Sequence, residues 1–298
     1  MTISSFFSTL RKPYISFIGS LMIGLVLMIL SIGIYLISNF YESGMLFKDN
    51  FNLLNNLNTT HSINIQVLQM ITLFVVPPII YSFFHKSKFK ELFFLNKAIS
   101  IQQVAYGVVL ALAIFPVLLF IQEWVTSLPL PSDLKAIAEE QKLVSEHIIK
   151  SFLDFTSPLR LLLMLAIMGF GAGVTEELFF RGLMMPIISR FFGSIWVGIV
   201  LSGLFFGMMH SSVYDFLPIS IIGMLFGYIY YKTNNLWVTI FIHSFYNGSQ
   251  VFLNYLYNIK AIQFDIDKLD NIPIFVVFPC AALSFFIIQK ITKNYSYE

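Results

Sequence analysis

The sequence predicts an all-α fold, a polytopic transmembrane bundle of about eight spanning helices. Three observations carry that expectation. Hydrophobic residues form 57% of the 298-residue chain and charged residues only 11%, against roughly a quarter charged in an ordinary soluble domain. The apolar residues fall into long runs, and the run from Tyr14 to Phe40 contains no Asp, Glu, Lys or Arg. Basic residues gather in alternate connections between such runs, as expected where Lys and Arg are retained on the cytoplasmic side.

The first run exceeds the ~20 residues that cross the hydrocarbon core as a helix. It is too long for the apolar stretch of a signal peptide, and no small-residue cleavage site follows, so a retained first helix is expected. Predominantly apolar runs at about 14–39, 63–84, 104–124, 159–180, 194–210, 216–232, 235–256 and 272–291 make up the eight spans. Arg11 and Lys12, the cluster His85-Lys86-Ser87-Lys88-Phe89-Lys90, then Arg181, Arg190, Lys232, Lys290 and Lys293 all fall on one side of such a bundle. The opposite connections are poorer: 41–62 has one Lys, and 257–271 has two Lys against three Asp. Both termini are then cytoplasmic. The expected setting is the cytoplasmic membrane of a prokaryote, with membrane lipids as the surrounding partner.

The longest connection, about 125–157, is mixed in charge. From Ser132 onward, Leu134, Ile137, Val144 and Ile148 fall near one helical face, with Lys135, Glu139, Glu140, Lys142 and Glu146 elsewhere. A short amphipathic helix on the outer surface, lying over the bundle, is the expectation; a solvated linker helix is the plainer alternative. Gly203 with Gly207, Gly223 with Gly227, and the group Gly169, Gly171 and Gly173 place small residues where membrane helices pack closely. No basic stripe or phosphate-binding loop suggests nucleic acid or nucleotide. The lone Cys280 forms no internal disulfide. No internal repeat is visible, which argues against an inverted-repeat transporter.

Four places break the apolar pattern, and ionisable groups inside a membrane usually serve function. They are Thr175-Glu176-Glu177-Leu178-Phe179-Phe180-Arg181, then His210, His243 and Asn247. Adjacent glutamates on a helix point about 100° apart and cannot share one role. Glu177 precedes Arg181 by four residues, the favourable order for an ion pair, whereas Glu176 has Phe180 at that position. Glu177 is therefore the structural partner, and Glu176 is left to face the interior as a candidate general base. His243 and Asn247 share a helix face, and His210 follows Phe206 by one turn. One acid, two imidazoles and a carboxamide can position a water, take its proton and stabilise an oxyanion. Glu176, His210 and His243 can equally bind one divalent cation such as zinc, although the helical motif HExxH is absent. His61, His85 and His147 fall in expected connections, away from this set.

Taken in order, Glu176-Glu177-x-x-x-Arg181, Phe206-x-x-x-His210 and His243-x-x-x-Asn247 resemble the three motifs of the CPBP intramembrane protease family. That family includes CAAX prenyl endopeptidases of the Ras-converting type and bacterial bacteriocin-processing or immunity proteins. The resemblance covers about 160–256. It implies a helical bundle around a catalytic cavity, in which Glu176 with His210 activates water. His243 and Asn247 would stabilise the oxyanion, while Glu177, Arg181 and Phe206 support the site. The implied activity is that of an intramembrane endopeptidase, named in the family as a metalloprotease, acting on peptides or proteins with or without a lipid modification. The chain then divides into N-terminal helices with the amphipathic segment (1–157), a catalytic core (158–256) and a final helix with its tail (257–298). The rival expectations are a non-catalytic immunity or scaffold protein on the same fold, and a proton-coupled transporter using these groups as a relay.

Overall fold

The computed structural model describes residues 13–42, 59–85, 88–210, 212–263 and 272–293. Arg11, Lys12, Lys86, Ser87, residues 43–58 and residues 264–271, all used above to orient the chain, lie outside the described residues, as does the tail after Lys293. Within those described, every regular element is a helix. α1 is Pro13–Glu42; α2 runs from Thr59–Gln69 through a π-helical stretch, Met70–Val75, into Val76–Phe84. α3 is Ile101–Ser127, α4 is Ser132–Leu153, and α5 is Pro158–Phe192. α6 (Ile195–Met208), α7 (Val213–Thr233), α8 (Leu236–Asn258) and α9 (Ile274–Lys293) complete the bundle.

Six of these helices, α1, α2, α3, α5, α7 and α9, are long and apolar enough to cross a membrane. The protein is thus a polytopic helical membrane protein. The two other expected spans are helices of different character. α6 has 14 residues, about 21 Å at 1.5 Å per residue, shorter than the ~30 Å hydrocarbon core. α8 has 23 residues but carries His243, Asn247, Gln250 and Asn254 along its length.

Local chemistry sets the helix ends. Ser100 and Gln103 form a reciprocal capping box at the start of α3. Ser212 caps α7 by accepting from the Asp215 backbone N–H, and Asn235 caps α8 by accepting from that of Trp237. α5 departs from the expected 159–180 by continuing to Phe192. Arg181 does not stop it, because Glu177 neutralises that charge inside the protein at 2.7 Å. The helix ends at Gly193, whose φ of 67° is left-handed. Arg181 is consequently no loop residue and does not contribute to the charge of the inner connections.

The longer α5 also sets the depth of Glu176, near its midpoint. Measured back from the shared turn at Gly193, Glu176 on α5 and His210 after α6 lie ~24 Å and ~23 Å away at 1.5 Å per residue. The two helices run in opposite directions from that turn, so both residues come to a similar level.

Small residues let the core helices approach. A Cβ on Gly203 of α6 would come within 2.8 Å of the Met224 backbone N of α7, and one on Gly207 within 2.7 Å of the Phe216 carbonyl. Gly169 and Gly173 of α5 lie in the same way against Gly248 and Ser244 of α8. Around these contacts Phe180, Leu183, Met185, Phe226, Tyr230 and Ile242 form a fully enclosed apolar core.

α4 docks on the end of the bundle from which α7 starts. Ala138, 1% exposed, packs with Val125 and Tyr214. Tyr214 Oη donates to Glu139 Oε1 at 2.7 Å, and the Val213 N–H donates to Gln141 Oε1 at 3.1 Å. The apolar stripe expected to cover the bundle remains partly open, with Leu134, Ile137, Val144 and Ile148 between 39% and 49% exposed. The attachment is made there by one small side chain and polar contacts, and at the other end of α4 by buried Phe152 and Leu153 packing with Met164 and Val251.

A methyl group at Gly173 would meet Ser244 Oγ and, at 2.9 Å, its backbone N. Backbone cannot yield without parting α5 from α8. Gly173→Ala is expected to destabilise the protein by about 1–3 kcal/mol, whereas Gly33→Ala, with nothing within 4 Å, should not. Thermal unfolding of both variants in detergent would check this; equal midpoints would refute the close-packing argument.

Candidate active site

Two of the four polar interruptions in the sequence, Glu176-Glu177 with Arg181 and His243, are brought together by α5 and α8, with α6 and α7 closing the other sides. On α5, Glu177 is fully buried and Arg181 is 1% exposed. Arg181 donates through one terminal nitrogen to Glu177 Oε1 at 2.7 Å and through the other to the Gly223 carbonyl of α7 at 3.1 Å. Its guanidinium carbon lies 4.4 Å from the centroid of the Phe206 ring, 5.5 Å from that of Phe226 and 5.8 Å from that of Phe180. Rings facing a cation attract it through their quadrupoles. The charge is thereby paired within the protein, although Arg181 Nε has no hydrogen-bond partner.

Glu177 has a second partner. His243 of α8, 4% exposed, places its Nδ1 at 2.9 Å from Glu177 Oε1. Because Glu177 is also paired with Arg181, the oxygen accepts and Nδ1 carries the proton. That fixes the imidazole, and its Nε2 is turned to Glu176, 3.8 Å from Oε2. The Glu176 side chain is 13% exposed, and its Oε2 is buried without a hydrogen-bond partner. The rings of Phe206 and Phe226 wall the imidazole at 5.8 Å and 5.4 Å between centroids.

Glu177 pairs through Oε1 with Arg181 and His243, and Oε2 of each glutamate is buried without a hydrogen-bond partner. His210 and Asn247 sit further out. His210 is exposed at the end of α6, and its Nδ1 donates to the Phe206 carbonyl at 2.8 Å. Its ring packs on Phe206 at 5.0 Å between centroids, and it makes no hydrogen bond to Glu176 or His243. Asn247 Nδ2 donates to the Met168 carbonyl of α5 at 3.3 Å. One of its two N–H groups is thus used to tie α8 to α5.

Glu176, His210 and His243 are the expected ligands of a divalent metal. Among the described residues no three His, Cys, Asp or Glu side chains gather to hold a metal ion. Glu176 and His243 approach each other, but His210 does not join them. This arrangement does not fit a three-ligand metal site.

Sequence reasoning passed over Phe226, the Gly223 carbonyl and Ser244. Phe226 is one of 33 phenylalanines, and no spacing singles it out. Gly223 was legible only as a packing residue. Its second role, exposing a carbonyl to Arg181, follows from the absence of a side chain where α6 and α7 meet. Ser244 Oγ is buried without a hydrogen-bond partner against Gly173; the hydroxyl is the small group that the α5–α8 contact can accommodate.

Breaking the buried pair from one side leaves a carboxylate uncompensated. Arg181→Met is expected to cost about 3–5 kcal/mol. Adding Glu177→Leu to it should restore part of that loss, as a double-mutant cycle read by denaturant or thermal unfolding would reveal. A double variant no more stable than Arg181→Met alone would contradict the pairing.

Residues 158–249, from the start of α5 to well into α8, match the Rce1-like family model, described as type II CAAX prenyl endopeptidase Rce1-like. The matched segment contains the three motifs and the side chains gathered here. No curated protein and no solved structure matches the chain.

Proposed function

We propose that this protein, similar over its core to the CAAX-type membrane endopeptidases, hydrolyses peptide bonds of membrane-associated peptide or protein substrates with water activated by Glu176. The observation that carries this reading is the buried Glu176 Oε2, without a hydrogen-bond partner and 3.8 Å from His243 Nε2. A water ~2.8 Å from both atoms forms the apex of a triangle on that base, within ordinary hydrogen-bond reach. Glu176 takes the proton of that water as its oxygen attacks the carbonyl carbon. The proton then passes to the departing amine, leaving a carboxylate and an amine as products.

His243 supports the same step. With its Nδ1 proton held by Glu177, its Nε2 donates to an oxyanion only as the imidazolium. Asn247 contributes its remaining N–H from the same face of α8. His210, exposed and with Nε2 unspent, is suited to exchange protons with the water or the leaving group. The charge distribution of the sequence supports an orientation with both termini on the cytoplasmic side.

The test is cleavage of prenylated and unprenylated peptides by the purified full chain in lipid, read by mass spectrometry. Glu176→Gln, which keeps the shape and removes the base, is expected to abolish cleavage while leaving the unfolding midpoint unchanged. Asn247→Ala should lower the turnover number about 10²-fold, the scale of losing one oxyanion donor. Parallel reactions with and without a chelator show whether a metal takes part. Undiminished activity in Glu176→Gln would sink the hydrolase reading and favour a binding protein on the same fold.

A further inference from the structure

Well away from the Glu176 cluster, a cavity of about 1090 Å³ opens between α1, α2 and the first half of α5. Its lining is ordered by depth. α4 leads directly into the start of α5 and also touches the Thr59–Gln69 segment of α2, so both helices enter the bundle from the same end. Nearest that end the walls are polar, with Asn64, Ser157, Arg160 and, from α1, Tyr35. Further along the same helices they become apolar, with Val67, Leu68, Leu163 and Ile167. Ile167 precedes Glu176 by nine residues, ~13 Å at 1.5 Å per residue.

Two further features define what such a space accepts. Tyr35 Oη accepts from Asn64 Nδ2 at 2.8 Å and bonds His61 Nδ1 at 2.9 Å, which braces the polar wall. Arg160 is half-buried and has no acidic partner among the described residues. Leu159 and Leu162, 77% and 64% exposed, flank it on the side facing outward from the bundle. The opening is therefore lateral and apolar-lipped, with an unmatched cation at the level where α2 and α5 begin.

We propose that this cavity binds an anionic phospholipid, its phosphate headgroup at Arg160 and one acyl chain along Leu163, Ile167, Val67 and Leu68. The polar-to-apolar order of the walls follows that of the lipid. An anionic headgroup supplies a counter-charge that Arg160 lacks among the described residues, whereas a zwitterionic one brings its own cation. The lipid would occupy a fixed place beside α5, the helix that carries Glu176.

The full chain, purified in detergent, is to be incubated with dioleoyl-phosphatidylglycerol or dioleoyl-phosphatidylcholine. Native mass spectrometry reads retained lipid, and thermal unfolding reads stabilisation. Wild type is expected to retain phosphatidylglycerol preferentially, and Arg160→Gln to reduce that preference about fivefold, the scale of one basic residue at a lipid surface. Leu163→Trp, at a half-exposed position, fills the apolar end and should lower retention of both lipids with the charge intact. Lys142→Gln on exposed α4 should change nothing. Undiminished phosphatidylglycerol retention in both cavity variants would overturn the proposal, as would an equal loss in Lys142→Gln, which would mark diffuse surface attraction.

Discussion

A guanidinium held inside a membrane bundle needs every one of its contacts, and Arg181 organises the four helices of the core for that reason. It bonds Glu177 on its own helix and the Gly223 carbonyl of α7, and it lies among the rings of Phe206, Phe226 and Phe180. Through Glu177 the same charge reaches His243 of α8. An unpaired ion at this depth would cost several kcal/mol. Satisfying it requires α5, α6, α7 and α8 to adopt one mutual arrangement. The site is thus built from the inside outward, around a pair that need not touch substrate.

That arrangement depends on close backbone approach. Arg181 reaches the Gly223 carbonyl because α6 and α7 meet through Gly203, Gly207 and Gly223 rather than through larger side chains. His243 reaches both glutamates because α5 and α8 meet through Gly169, Gly173, Ser244 and Gly248. In lipid, where burial of apolar surface gives helices little reason to associate, small residues supply the packing and polar groups the specificity. The two devices serve one purpose here.

Adjacent glutamates with opposite fates are the chemical consequence. Glu177 is tied through Oε1 to Arg181 and His243, whereas Glu176 has no cation but the His243 imidazole near it; Oε2 of each lacks a hydrogen-bond partner. The helix around them is not uniform: π-helical stretches Leu165–Gly171 and Leu178–Met184 flank the α-helical turn Ala172–Glu177. Such widened turns recur at functional positions in helices because they redirect side chains without breaking the rod. Here they set the directions of Met168, whose carbonyl takes Asn247, and of Arg181.

The helical class, most of the spans and the three polar motifs were legible in the sequence, because a hydrocarbon core demands long apolar runs and penalises any ionisable residue within them. The i,i+4 spacing of Glu177 and Arg181 disclosed their pairing, since local helix geometry alone determines it. Other features depended on contacts between helices, which no local spacing encodes. Arg181 reads as an end marker until Glu177, Gly223 and three phenylalanine rings enclose it, and only then can α5 continue to Phe192. His243 and Glu177 stand 66 residues apart, and the tautomer that turns Nε2 toward Glu176 exists only once α5 and α8 are in contact. The apolar stripe of α4 pointed to burial, but the helix is seated by polar contacts to Tyr214 and the Val213 N–H and by Ala138, Phe152 and Leu153, none of which belongs to that stripe. The sequence by itself determined which groups must leave water, while the tertiary structure decided which of them would find partners there.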